Sequence, residues 1–89
     1  MAPKTPDSVM RESSGSLTQL ACLFSTNNID NGDTYTSGIP SGCVKNFWFT
    51  AEGGTAAVNV SEAASVFTFT CYNSAVEDVQ GTLYIQATI

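Results

Sequence analysis

From Thr82 to Ile89 the chain alternates without a break. Leu83, Ile85, Ala87 and Ile89 share one parity; Thr82, Tyr84, Gln86 and Thr88 share the other. A period of two sends successive side chains to opposite faces, so this stretch predicts a half-buried β-strand. Val66 to Tyr72 repeats the pattern, with Phe67, Phe69 and Cys71 alternating against Val66, Thr68 and Thr70. Leu17 to Phe24 is a third strand of mixed pattern in which Leu20, Cys22 and Phe24 share a face. Val44 to Thr50 sets Phe47 and Phe49 against Val44, Asn46 and Trp48. Bulk on both sides predicts a central or covered strand. Thr55 to Val60 alternates more weakly, and Tyr35 with Thr36 makes a short sixth strand.

Turn residues separate these runs. Asn31-Gly32 is the pair favoured where a tight hairpin needs positive φ. Ser37-Gly38, Ser41-Gly42 and Gly53-Gly54 are further breaks, and Pro40 falls between strands, where its missing N–H costs no ladder bond. No window shows a sustained 3.6-residue period. Five to seven short strands predict an all-β fold, a small antiparallel β-sandwich or partly closed barrel.

The first fourteen residues do not fit this scheme. They hold Pro3, Pro6, four charges and only Ala2, Val9 and Met10 as apolar side chains after Met1. No strand or helix is predicted there. The chain therefore divides into an extended N-terminal arm, residues 1–15, and a β-sandwich domain, residues 16–89. An arm of this kind needs an anchor, and the expected anchor is another protein chain or another copy of this one. Pro3, Lys4, Pro6, Val9, Met10 and Arg11 are its candidate partner-binding residues. On this reading, removing residues 1–14 abolishes docking and leaves a folded body. A body of about 75 residues buries little more than about 60% of its surface, so association is a natural supplement to its core.

Charge narrows the partners. Eight acids stand against three bases, Lys4, Arg11 and Lys45, for a net charge of -5. Phosphate neutralisation needs clustered Lys and Arg, so neither nucleic acid nor an acidic membrane surface is an expected partner. Met1 is followed by a polar run rather than an apolar h-region, and no apolar stretch is long enough to span a bilayer as a helix. The expectation is synthesis in a cytoplasm. Cys22, Cys43 and Cys71 suit that compartment, and an odd count leaves at least one thiol without an internal partner. Cys22 and Cys71 sit in strand patterns and read as small hydrophobes.

Histidine is absent, which removes the commonest acid–base group and the base of a Ser–His or Cys–His site. No C-x-x-C pair or phosphate-binding glycine loop is present, and no enzyme activity, cofactor or metal is expected. The loop Asn28 to Thr34 is rich in oxygen ligands but lacks the spacing of a calcium loop. It reads as an Asx-rich hairpin turn whose Asp and Asn side chains cap nearby N–H groups. Glu77-Asp78 reads as a solvated edge pair rather than a carboxylate dyad. Asn59-Val60-Ser61 matches the glycosylation pattern by chance. Trp48 has two open readings, core filler or interface anchor.

Three stretches carry a resemblance: Gly32-Asp33-Thr34, Thr36-Ser37-Gly38-Ile39 and Val66-Phe67-Thr68-Phe69. Together with the arm and the final apolar strand they are similar to small β-sandwich virion proteins of tailed bacteriophages. The resemblance implies a non-enzymatic capsid decoration (cement) protein at the capsid surface, bound to the major capsid protein and often self-associated, with a trimer favoured. Those families commonly end in a glycine after the last strand, whereas Ile89 closes this chain, which leaves the final strand free to pair with another copy. A tail, neck or fibre-associated virion module is the alternative within that setting. Outside it stands a carbohydrate- or receptor-binding sandwich using Trp48, Tyr35 and Tyr72 as a stacking platform. That alternative requires the three rings exposed on one face.

Overall fold

A computed structural model of the chain describes residues 2–52, 58–71 and 78–89. Among the described residues there are seven strands: β1 (Ser8–Ser14), β2 (Leu17–Ile29), β3 (Thr34–Thr36), β4 (Val44–Ala51), β5 (Val58–Ala63), β6 (Val66–Cys71) and β7 (Val79–Ala87). A 3-10 turn at Ser41–Cys43 leads into β4. The strands form two antiparallel sheets, one ordered β1-β2-β7-β4 and one ordered β3-β6-β5. Their inner faces pack as a small β-sandwich.

Alternation decides which side chains meet between the sheets. Leu20, Cys22 and Phe24 of β2, Leu83, Ile85 and Ala87 of β7, and Phe67, Phe69 and Cys71 of β6 are all buried. Aromatic edges lock the layers. Phe69 meets Phe24 and Phe49 edge-on at 5.4 Å, and Phe67 meets Phe47 at 5.3 Å. Tyr35 stacks on Phe67 and takes the edge of Phe24.

Two tight hairpins build the sheets, and neither uses Asn31-Gly32. Gly15 (φ 64) and Ser16 join β1 to β2, an arrangement suited to a turn with glycine at its first central position. Ala64 and Ser65, both at positive φ, join β5 to β6. Asn31-Gly32, expected to close a hairpin, instead carries the chain from β2 in one sheet to β3 in the other. Asn31 Oδ1 there accepts the Cys71 N–H at 2.9 Å.

The N-terminal segment departs most from expectation. Residues 2–7 are extended, but their anchor is the chain's own body. Pro3 bridges Thr34 in parallel, the Lys4 N–H donates to the Thr34 carbonyl, and the Thr34 N–H donates to the Ala2 carbonyl. The segment thus borders β3 and then crosses to the other sheet as β1. Ser8–Ser14, read as part of an arm, is a full edge strand in continuous register with β2. The division at residue 15 therefore falls inside a hairpin.

Three further expectations change. β4 is an edge strand, not a central one. A bulge between Val44 and Asn46 turns Val44 toward the core beside Ala87. β7 lies between β2 and β4, so the final strand has both edges occupied and is not free for another copy; Ile89 lies beyond it, exposed. β2 runs five residues past Phe24, through the polar stretch Ser25 to Asn28. Gly53-Gly54, the start of the strand expected at Thr55, Tyr72 and Glu77 lie outside the described residues.

Candidate interaction surface

Two carboxylates position the N-terminal segment, and through it the surface described below. Asp33 is 1% exposed. Its Oδ1 accepts the Ala2 N–H at 3.1 Å, its Oδ2 accepts the Asp30 N–H at 2.8 Å, and Lys4 Nζ lies 3.7 Å from Oδ2. A buried carboxylate is tolerable only with such partners. Asp7 is exposed and closes the irregular end of β2, accepting the N–H groups of Ser25, Thr26 and Asn27. Hydrogen bonds from the amides of Thr26 and Asn27 hold its carboxyl below the usual range.

Asp33→Ala leaves the Ala2 and Asp30 amides and Lys4 without this acceptor. The expected cost is about 1.5–3 kcal/mol, the usual worth of hydrogen bonds to a charged group. Hydrogen exchange should speed at the Lys4 and Thr34 amides before the core amides. Unchanged protection there would show that Asp33 does not hold the segment.

Between the sheets, Cys22 and Tyr35 titrate late. Burial pushes the Cys22 thiol up to about 11 and the Tyr35 phenol to about 12. Both are neutral acids favoured by the fold, so their contribution is complete below the unfolded values. It is lost as pH rises through the folded ones. Stability should fall between about pH 9 and pH 12. A denaturant midpoint flat across that window would contradict this burial.

The outer face of the four-stranded sheet is the most unusual surface. Cross-strand register aligns Met10, Ala21, Tyr84 and Trp48 in one row, because Met10 opposes Ala21, Ala21 opposes Tyr84, and Trp48 opposes Tyr84. Met10 is 73% exposed and Trp48 39%. The Trp48 and Tyr84 rings stack at 5.3 Å with their planes 19° apart. Leu23, also exposed, lies one row away beside Thr82. The next row is polar: Glu12, Gln19, Gln86 and Asn46, with Gln86 Nε2 donating to Gln19 Oε1 at 3.3 Å.

Ala21 is the smallest member of its row and stands between two large ones. The result is an open groove of about 350 Å³ between Met10 and Tyr84, with Glu12 and Gln19 along its polar side. Such a groove accepts one apolar side chain and offers amide and carboxylate oxygens to its backbone.

Trp48 is therefore on the surface, not in the core. The three-ring platform does not form: Tyr35 lies between the sheets against Phe24 and Phe67, while Trp48 is on the opposite side of its own sheet. Tyr84 is the true neighbour of Trp48. Among the candidate arm residues, Pro3, Lys4 and Pro6 lie against the chain itself, and Val9, Met10 and Arg11 lie on exposed β1. Sequence reasoning missed Tyr84 and Ala21. Their parity in β7 and β2 was readable, but the register joining them to Met10 and Trp48 was not.

The acidic loop is a turn between the two sheets, not the hairpin turn expected of it. Asp30 Oδ1 accepts the Asp78 N–H, and Asp33 is engaged as described. Among the described residues no group of three His, Cys, Asp or Glu is placed to hold a metal ion. The thiols are all free; Cys22 and Cys71 are buried and Cys43 is partly exposed.

No family model, curated protein or solved structure matches this chain.

Proposed function

We propose that this protein is a non-enzymatic structural module that stabilises an assembly by laying the outer face of its four-stranded sheet against a neighbouring protein. The observation that carries the reading is the exposed row of Met10, Ala21, Tyr84 and Trp48. A small domain gains nothing by holding a tryptophan and a methionine in water, whereas Trp and Tyr in a desolvated patch are the usual anchors of protein contacts. A polar row beside the apolar one suits a rim. The virion setting comes from the sequence resemblance: there the neighbour is the major capsid protein and this chain a decoration protein at the capsid surface. Docking is reassigned from the N-terminal segment to the sheet face, because residues 2–7 are already bonded to their own body.

Trp48→Ala is the direct test, read as occupancy on shells of the major capsid protein by co-sedimentation. Loss of one anchor of this kind costs about 2 kcal/mol or more of binding, or at least tenfold in affinity. The domain itself should keep its thermal midpoint within a few degrees, since Trp48 packs mainly on Tyr84 at the surface. Wild-type occupancy by the Trp48→Ala and Tyr84→Ala variants would eliminate this face as the docking surface.

A further inference from the structure

Strand β1 is an edge of the four-stranded sheet, and its charged residues are Arg11 and Glu12. Ser8 to Ser13 are exposed on both faces of the sheet, and the strand has no proline and no bulge to block its outer edge. Hydrogen-bond parity shows which backbone groups that edge offers. The Glu52 N–H donates to the Gln80 carbonyl, so Gln80, Thr82, Tyr84 and Gln86 direct their backbone groups to β4. The alternate residues of β7 then face β2, and counting on through β2 turns Ser8, Met10 and Glu12 toward β2. Val9, Arg11 and Ser13 point their N–H and C=O groups outward.

We infer that β1 pairs antiparallel with β1 of a second copy about a twofold axis centred on Met10, joining two four-stranded sheets into one. Identical antiparallel edges make an isologous contact, which closes at a dimer rather than the trimer the sequence resemblance favours. Charge selects the register. Centring on Arg11 would oppose Arg11 to its own copy, and centring on Glu12 would oppose two carboxylates; both are destabilising. Centring on Val9 would bring Arg11 to Asp7, whose carboxylate and N–H are already bonded to Ser25–Asn27 and Leu23. The Met10 register opposes Val9 to Arg11 and Ser8 to Glu12, with no like charges opposed. It places the outward groups of Val9 and Arg11 in bonding positions and brings the two Met10 side chains together. Met10, the most exposed large apolar side chain among the described residues, is then covered, and the two Trp48–Tyr84 pads lie on one continuous face. This inference goes beyond the docking reading and does not depend on it.

Sedimentation over a wide concentration range should show reversible conversion to twice the monomer mass. Val9→Glu faces Arg11 of the second copy and should tighten the dimer about fivefold; Val9→Lys should loosen it about fivefold, from the usual strength of cross-strand charge pairs. Val9 is half-exposed, so both variants should fold as wild type does. In a Cys43→Ser background, Met10→Cys should oxidise to a covalent dimer at least tenfold faster than Val9→Cys or Thr50→Cys. A monomer at every concentration, equal behaviour of the two Val9 variants, or cross-linking no faster at Met10 than at Thr50 would each overturn the inference.

Discussion

Phe69→Ala should cost about 3–5 kcal/mol, the usual range for deleting a buried aromatic ring. Domains of this size hold on the order of 5–10 kcal/mol in total, so the variant should sit near its unfolding midpoint at physiological temperature. Phe69 is fully buried in the middle strand of the smaller sheet. Its ring takes edge contacts from Phe24 of β2 and Phe49 of β4 at the same 5.4 Å separation. It therefore ties two strands of one sheet to the centre of the other. Phe69→Leu keeps most of the volume and should lose less than half as much. Urea unfolding followed by the single tryptophan, Trp48, measures both. A loss under about 1 kcal/mol for the alanine variant would mean that the core does not depend on this ring.

Gly81→Ala should cost about 2–3 kcal/mol although it adds one methyl group, at the upper end of the range for overpacking. Gly81 lies inside β7 with no unusual φ, so its reason is space rather than conformational freedom. A Cβ there would run into the Thr50 carbonyl of β4 and come within 2.6 Å of Phe49 Cζ. The Phe49 ring lies over the glycine, a way of filling the gap a strand glycine leaves. Because Phe49 in turn supports Phe69, relief by moving the ring disturbs the contact just described. The double variant Gly81→Ala with Phe49→Leu should recover part of the loss, whereas two independent sites would simply add. Strict additivity would refute the proposed coupling.

These two effects share a cause with the exposed row on the opposite face. In a two-layer sandwich every inward residue has an outward neighbour, and β4 alternates Phe47 and Phe49 inward with Trp48 outward. Heavy inner rings stabilise the fold, while the outer ring remains available to a partner. Damage at Phe69 or Gly81 should therefore reduce stability first and any docking only as a consequence. Damage at Trp48 should do the reverse, which separates folding from function experimentally.

Parts of this arrangement were legible from residue order. The strands around Phe67–Cys71 and Leu83–Ala87 are evident because burial of one face imposes a period of two, and the buried residues keep that parity. The acidic loop reads correctly as a turn only in part: Asp33 Oδ2 reaches the Asp30 amide three residues back, but Asn31 accepts the distant Cys71 N–H and the loop joins two sheets rather than closing a hairpin. β1 gave no such signal. Ser8 to Ser13 are exposed on both faces, so no burial pattern marks it, and pairing with β2 alone makes it a strand. β4 misleads for the opposite reason, since a surface-stacked Trp48 looks like a second buried face until Tyr84 is known to lie beside it.

Residue order alone determines that this chain is all-β, acidic, without histidine and studded with turns, because those properties follow from side-chain chemistry and local periodicity. Folding in three dimensions decides the rest. Strand order, the register that gathers Met10, Ala21, Tyr84 and Trp48, and the capture of the N-terminal segment by Asp33 all join residues tens of positions apart. Such contacts depend on which faces remain to be covered once the whole chain has packed.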